Sequence, residues 1–305
     1  MADERNHDDG RSPLLMSGVL RLVYEFAGIN KDTSRTARDP QLTVLGRKLY
    51  ATWREDNGTA DQIRVAVYNG LDLTPAWTFV DGNGANGINK DVTKNIERPQ
   101  LTVARNKLYA TWTEFEPQSQ IRVAVYNGLD LTPAWTFVDG NGVNGINYDT
   151  GRPASEAQFG FFRGKIYMTW TESNGSDDQM RVAMYNGNDL LPVWTFMDGN
   201  GANGLNKDAT YSASSPQLVM HRGVLYAMWS EDNGTADQIR AMAFSGNVLL
   251  PTWTFVDGNS ATLGLNKNTG LGASVPQFAR FSNKLYATWV ETNGTNTQIR
   301  VILGQ

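Results

Sequence analysis

One stretch of about 59 residues recurs five times in this chain, and that period constrains the fold more than any other feature. The tryptophan of its Tyr-x-x-Trp element returns every 58 to 60 residues, at Trp53, Trp112, Trp170, Trp229 and Trp289. A period of this size is typical of repeat architectures, in which each unit packs only against its neighbours. The core is therefore expected to be shared among five units.

Each repeat carries four short strand patterns and no helical period that competes with them. In the first copy these are Leu42–Val44, Leu49–Glu55, Gln62–Tyr68 and Trp77–Val80, rich in β-branched and aromatic residues. Asn-Gly, Gly-Arg and Arg-Gly pairs separate the strands, as tight turns require. Four-stranded units repeated around an axis are typical of propeller blades. The sequence predicts an all-β, five-bladed β-propeller.

The two ends of the chain predict how the ring closes. The fifth copy stops after its third strand, near Leu303, and the segment Val19–Phe26 precedes a Gly-Ile-Asn-Lys-Asp sequence that matches residues 87–91. The N-terminal strand is therefore expected to complete the last blade and to remove its free sheet edge. Residues 1–18 are predicted to be a disordered tail, and residues 19–305 a single propeller domain.

Composition excludes several functions. The net charge of −4 argues against nucleic acid as a partner, and no apolar run is long enough for membrane insertion. No cofactor is indicated, and two histidines and no cysteines offer little for an imidazole- or thiolate-dependent site. The start lacks the apolar core of a secretory signal, so synthesis in the cytoplasm or export by a non-classical route is expected, with localisation otherwise unknown.

The candidate binding residues lie where the loops are longest. The loops after the second and fourth strands share one face, which we call the loop face. Every repeat brings a Trp-x-Glu element and a Gln-x-Arg element to this face, and indole faces with charged hydrogen-bonding groups suit sugars. The alternative is a cross-strand Arg–Glu fastening that holds each blade. The candidate residues are Trp53, Glu55, Arg64, Trp112, Glu114, Arg122, Trp170, Glu172, Arg181, Trp229, Glu231, Arg240, Trp289, Glu291 and Arg300.

Two further patterns extend this candidate site. A Pro-x-Trp-x-Phe element supplies Trp77, Trp135, Trp194 and Trp253 on the outer strands, where packing between blades is the alternative to ligand stacking. An Asp- and Asn-rich loop contains Asn89 and Asp91, which could hydrogen-bond a sugar. Its alternating oxygens also suggest Ca²⁺, but the spacing fails the EF-hand pattern, so calcium is a secondary reading. Asn-Gly pairs also serve simply as turns.

These motifs resemble those of propeller lectins. The Tyr-Ala-x-Trp-x-Glu and Gln-Ile-Arg-Val elements are similar to those of Photorhabdus-type and fucose-binding propeller lectins, and the blade count resembles the tachylectin-2 type. The resemblance implies several equivalent monosaccharide sites per ring, with Arg64, Glu55 and Trp53 and their equivalents holding the sugar. Fucose and N-acetylhexosamine units are candidate ligands.

Near-identity of the copies also favours repeated binding over catalysis, because linked weak sites raise avidity. Residues Ile63 to Gly84 recur unchanged as residues 121 to 142. The function expected is a multivalent lectin without enzymatic activity. The alternatives are a protein-interaction or surface-targeting propeller and a glycoside-active enzyme. Enzymes that cleave sugars on five-bladed propellers use unlike carboxylates around a central cavity, and Asp39, Glu97 and Glu156 are the asymmetric acidic set here, with ordinary loop carboxylates as the alternative.

Overall fold

The computed structural model describes residues 28–304, apart from residues 72, 83, 116, 141–143, 200, 259 and 261. Nineteen strands and one 3₁₀ turn (Gly201–Asn203) occur in this part of the chain. The strands form five separate antiparallel sheets in chain order, which are the five predicted blades. The all-β, five-bladed propeller predicted from the repeat is confirmed.

The first blade consists of β1 (Ala37–Leu45), β2 (Lys48–Asp56), β3 (Asp61–Tyr68) and β4 (Trp77–Phe79). The second consists of β5 (Ile96–Ala104), β6 (Lys107–Phe115), β7 (Ser119–Tyr126) and β8 (Trp135–Phe137). The third consists of β9 (Ala154–Phe162), β10 (Lys165–Ser173), β11 (Asp178–Tyr185) and β12 (Trp194–Phe196). The fourth consists of β13 (Ala213–His221), β14 (Val224–Asp232), β15 (Asp237–Phe244) and β16 (Trp253–Phe255). The fifth shows β17 (Ala273–Phe281), β18 (Lys284–Thr292) and β19 (Thr297–Gly304).

The fifth sheet has three strands among the described residues, in agreement with the early end of the fifth repeat. The strand predicted to complete it, Val19–Phe26, lies outside the described residues, as do the predicted tail and the boundary between tail and propeller. Closure of the ring by the N-terminus therefore stays a prediction.

The hydrophobic core lies between the blades, as the repeat architecture requires. One cluster joins Tyr50 and Val65 of the first blade to Leu101 and Trp112 of the second. Equivalent clusters lie between the second and third, third and fourth, and fourth and fifth blades. Each sheet thus buries its apolar surface against its neighbour, and stability depends on what fixes neighbouring sheets together.

The innermost strands of neighbouring blades contact each other directly. Gln41 of β1 accepts a hydrogen bond from the backbone NH of Leu101 in β5, and Thr43 donates to the Leu101 carbonyl. At the loop face each innermost strand begins with a bulge, where the register with the second strand shifts. The bulge brings the first few residues of five strands to one end of the propeller.

Candidate functional site

The five predicted Trp-x-Glu elements are buried in the structure. All five tryptophans and all five glutamates are at most 3% exposed. In every blade the indole NH donates to the glutamate two residues later, at 2.7–3.0 Å. The indole and the carboxylate therefore satisfy each other inside the blade.

The same glutamates fasten one blade to the loop that precedes it. Both carboxylate oxygens of Glu114 accept backbone NH groups, from Lys90 at 2.8 Å and from Asp91 at 2.9 Å. Equivalent pairs of bonds reach Glu55, Glu172, Glu231 and Glu291. Because these donors belong to the connection from the preceding blade, each glutamate links two repeats.

Burial changes the protonation equilibrium of three of these carboxylates. Removal from water raises the pKa of Glu114, while hydrogen bonds from Trp112, Lys90 and Asp91 act in the opposite direction. Burial likewise raises the pKa of Glu172 and of Glu231. A perturbed pKa often marks an active site, but here the hydrogen bonds lie entirely within the scaffold.

The arginines of the Gln-x-Arg elements hold the loop of their own blade. Arg64 is 2% exposed and lies 3.4 Å from the buried Asp81 carboxylate, and its guanidinium donates to the carbonyls of Gly84 and Ala85. Arg122, Arg181 and Arg240 pair with Asp139, Asp198 and Asp257 in the same way. In the last blade Arg300 lies 3.7 Å from Glu291. In the first four blades, the buried arginine thereby holds the loop that follows the fourth strand.

The remaining predicted residues also make scaffold contacts. Trp135 donates its indole NH to the Val80 carbonyl of the preceding blade, and Trp194 and Trp253 make the equivalent bond. Trp77 is half-buried and packs its ring against Tyr68. The buried Asn89 accepts the Ile63 NH and donates to two carbonyls, and Asp91 accepts from Thr93.

The structure therefore corrects the assignment of the repeated set to a sugar site. Trp53, Glu55 and Arg64 are each at most 3% exposed and are bonded to the protein itself, and the same holds in the next three blades. A sugar hydroxyl has no open surface to approach there. The residues instead form a fastening, which was the alternative interpretation. Its main hydrogen bonds differ from the expected Arg–Glu pair, because the glutamates bond to the connection from the preceding blade and the arginines bond to loop carbonyls.

A different feature of the loop face departs from the repeat. The third residue of each innermost strand has a left-handed backbone, with φ between 52° and 62° in all five blades. Yet the side chains at this position, which we call the collar, differ in every blade: Asp39, Arg98, Glu156, Ser215 and Val275. Left-handed non-glycine residues cluster at functional sites, where the surrounding structure maintains them. At this position the five blades share a backbone conformation, but their side chains differ in chemical type.

Three collar residues form a chain across the second, third and fourth blades. Arg98 donates to Oε1 of Glu156 at 2.7 Å, and Oε2 of Glu156 accepts the backbone NH of Ser215 at 2.6 Å. Arg98 is exposed, whereas Glu156 is half-buried. These bonds fix both oxygens of one carboxylate at the end of the propeller.

A cleft of about 360 Å³ opens beside the collar between the first and second blades. Arg54 lies in its wall, 2.7 Å from the Asp39 carboxylate and 3.2 Å from that of Asp61. Glu97 lines the same cleft, and its carboxylate makes no hydrogen bond or ion pair to another described residue. Phe115 adds a ring that is 39% exposed.

Sequence reasoning found the acidic residues of this site but missed its other members. Asp39 and Glu156 are collar residues, but Glu97 lies one position earlier, and the collar residue of the second blade is Arg98. Arg54 and Phe115 were missed altogether. A comparison of the copies position by position would have found them, since the equivalents of Arg54 are threonine, serine or valine.

The geometry offers carboxylates and guanidinium groups rather than a metal site. No cluster of three or more acidic or histidine side chains fit for a metal ion occurs in the described ranges. The Asp81 carboxylate of the loop in which calcium was considered is paired with Arg64.

No helix in the described part of the chain has the length and apolar character to cross a membrane.

Comparison with known proteins gives structural neighbours only: no family model and no curated protein matches this chain. A thermostable family-43 glycoside hydrolase is similar with 16% identity and a TM-score of 0.45, over 88% of this chain and 89% of its own. An α-L-arabinofuranosidase from Lactobacillus brevis has 14% identity and a TM-score of 0.45, over 84% and 86%. An endo-arabinase from Bacteroides thetaiotaomicron has 13% identity and a TM-score of 0.44, over 88% and 94%. At these values the likeness concerns the architecture alone.

The prediction of a multivalent lectin, with no enzymatic activity, is wrong. The residues on which it was based are sealed inside the blades, where a sugar cannot reach them. The similar structures named above are glycoside hydrolases by name, and they add to this only the propeller architecture. The resemblance to propeller lectins is confirmed for the propeller architecture and not for the lectin family. The motifs that suggested it are the fastenings of the scaffold.

Proposed function

We propose that this protein hydrolyses a glycosidic bond at the loop-face end of the propeller, in the cleft between the first and second blades. The observation that carries the proposal is the collar. A chain that repeats its scaffold residues five times places unlike carboxylates and arginines at and beside this one position. Catalysis needs groups with different roles, whereas a set of equivalent binding sites needs the same groups in every copy.

Glycoside hydrolysis requires two carboxyl groups with different roles. One protonates the leaving oxygen, and the other either activates a water molecule or attacks the sugar carbon. Glu97 suits the proton donor, because it lines the open cleft and no described group neutralises its carboxylate. Asp39 suits the second role, because its carboxylate forms an ion pair at 2.7 Å with Arg54, a residue of the cleft wall.

The other residues of the site serve to bind the sugar. Arg54 also donates to the Ile96 carbonyl at 3.4 Å, so it connects the strand ends that carry Asp39 and Glu97. The Phe115 ring can pack against the C–H face of a sugar. The Arg98–Glu156 pair offers a guanidinium and a carboxylate to hydroxyl groups farther along the collar.

The reaction balances with water alone. Glu97 gives its proton to the glycosidic oxygen, the bond from that oxygen to the anomeric carbon breaks, and the proton of the attacking water goes to Asp39. If Asp39 instead attacks the anomeric carbon, water then cleaves the glycosyl–enzyme ester, with Glu97 as the base. Proton NMR of the first product distinguishes these two routes, because the first inverts and the second retains the anomeric configuration.

The test is hydrolysis by the whole chain of a panel of polysaccharides and aryl glycosides that includes arabinan, xylan and β-glucans. We expect reducing-end release by the wild type and a loss of roughly a hundredfold or more in kcat for Glu97→Gln and Asp39→Asn. Aryl glycosides with good leaving groups should restore much of the activity of Glu97→Gln but not of Asp39→Asn, since only the former lacks a proton donor.

Asp149→Asn is the matched control, because this carboxylate is exposed on the same face and outside the cleft. It should keep wild-type activity. Circular dichroism spectra that match for all variants confirm that folding is intact. No hydrolysis of any substrate by the wild type, or full activity of the folded Glu97→Gln and Asp39→Asn variants, would refute the proposal.

A further inference from the structure

The opposite face of the propeller carries a second repeated feature that the proposed reaction does not use. This face, which we call the turn face, contains the turns between first and second strands and the loops between third and fourth strands. Antiparallel pairing within each blade brings them to the same side. Ion pairs between neighbouring blades confirm this, since Lys48 reaches Asp130 and Lys107 reaches Asp189, both at 2.5 Å.

One leucine of each complete blade projects from the turn face into solvent. Leu73, Leu131, Leu190 and Leu249 are 86%, 98%, 90% and 88% exposed. A second leucine of each loop is also more than half exposed, namely Leu71, Leu129, Leu191 and Leu250. Large exposed apolar surface of this kind marks sites of interaction with proteins or membranes.

The loops themselves do not need these leucines. In the second blade, Asn127 accepts the Leu129 NH at 3.0 Å and donates to the Thr132 carbonyl at 2.8 Å, so polar bonds shape the loop. The same bonds occur in the first blade. A polar residue at the leucine position would leave this bonding unchanged. The leucine side chains therefore serve something outside the chain.

Basic residues accompany the leucines on the turn face. Exposed cationic side chains of the turns include Arg47, Lys48, Arg105, Lys107, Arg163 and Arg222. The described acidic residues of these turns and loops are Asp130 and Asp189, and each is already paired with a lysine. Lys48 and Lys107 are neutralised by these pairs, and the sequence has one more carboxylate, Asp72, in the first of these loops. The excess of positive charge on this face therefore comes from the exposed Arg47, Arg105, Arg163 and Arg222, in a chain whose net charge is −4.

We infer that the turn face docks onto the surface of a bilayer that contains anionic phospholipids. The leucines would enter the boundary between headgroups and acyl chains, and the basic turns would face the phosphates. The arrangement favours a bilayer over a folded protein, because the leucines occupy the equivalent loop position in four successive blades and are each at least 86% exposed. A flat, deformable partner can receive all of them together. This peripheral contact differs from the membrane insertion that the sequence argued against.

The test is flotation of the whole chain with vesicles of phosphatidylcholine alone and of phosphatidylcholine with phosphatidylserine. We expect binding only to the vesicles with phosphatidylserine, and less of it at high salt. The double variant Leu131→Ser with Leu190→Ser should lower the partition coefficient by roughly tenfold or more, because two apolar anchors are lost. Arg47→Glu should lower it as well.

Matched controls lie on the loop face. Leu263 is 44% exposed and Lys267 is exposed there, so Leu263→Ser and Lys267→Glu should bind as the wild type does. Absence of flotation, or flotation that the leucine variant leaves unchanged, would overturn the inference. So would light scattering that shows leucine-dependent self-association in solution without lipid, or retention on heparin together with no vesicle binding. Hydrolysis assays of the same variants keep this test separate from that of the proposed function.

Discussion

Replacement of Glu172 by alanine tests the view that the repeated Trp-x-Glu element fastens blades together. Glu172 is fully buried, and its carboxylate accepts three hydrogen bonds. These come from the Trp170 indole at 2.8 Å, the Tyr148 NH at 2.8 Å and the Asp149 NH at 2.7 Å. The first donor lies in the same blade and the other two in the connection from the preceding blade.

The expected loss follows from the three donors that remain. A buried donor without a partner costs about 1–3 kcal/mol. The two backbone donors are part-buried, so water can reach them and their cost lies near the lower limit. Removal of a carboxylate whose pKa is raised by burial recovers part of the loss. We expect Glu172→Ala to lower the free energy of unfolding by about 2–4 kcal/mol, and Glu172→Gln, which keeps one acceptor oxygen, by less.

Urea unfolding followed by tryptophan fluorescence measures this loss. Asp149→Ala is the control, because its side chain is exposed and bonds only within its own loop. It should cost less than about 1 kcal/mol. A Glu172→Ala protein as stable as the Asp149→Ala protein would refute the fastening and would reopen the question of why every blade keeps this glutamate.

Three other predictions concern single positions. A methyl group on Gly87 would lie 1.9 Å from the Ile63 carbonyl oxygen, so Gly87→Ala should lower the thermal midpoint far more than Gly46→Ala, where nothing lies within 4 Å of the added atom and only a φ of 63° opposes it. Burial raises the pKa of Asp139 to about 6, so stability from this group is complete below its ordinary value of 3.8 and is lost as pH rises through 6. Unfolding of Asp139→Asn should lack this pH dependence, and equal pH slopes for both proteins would contradict it. A β-branched residue tolerates φ of 52° poorly, so Val275→Asn should stabilise the protein by about 1 kcal/mol in the same unfolding assay.

The architecture could be predicted from the sequence because it depends on the spacing of the repeats and of the strand patterns within them. The first three strand patterns of the first repeat lie within strands of the structure, and the fourth, Trp77–Val80, extends one residue beyond β4. The early end of the fifth repeat corresponds to a three-stranded sheet among the described residues. The main difference is at the start of the innermost strand. There β1 begins at Ala37, before the pattern that starts at Leu42, because the bulge at Asp39 continues the pairing.

The role of the repeated polar residues could not be predicted in the same way. Tryptophan, glutamate and arginine on neighbouring strands suit a sugar and suit a buried hydrogen-bond network equally well. Which applies depends on the loop of the preceding blade, whose Lys90 and Asp91 NH groups reach Glu114 from 24 and 23 residues away. Local sequence contains no sign of that distant contact. Burial therefore decided the matter.

The division between uniform and variable positions explains why a near-perfect repeat can still support asymmetric chemistry. A residue that links each blade to the next must be the same in every copy, since each interface has the same geometry, and Glu114 and its four equivalents obey this rule. The collar residue has only to adopt a left-handed backbone, which the bulge imposes in all five blades, so its side chain is left open to change. Duplication would thus conserve the fastening while the collar diverged into Asp39, Arg98 and Glu156. The proposed hydrolytic site accordingly lies at the position where the copies share a backbone but not a side chain.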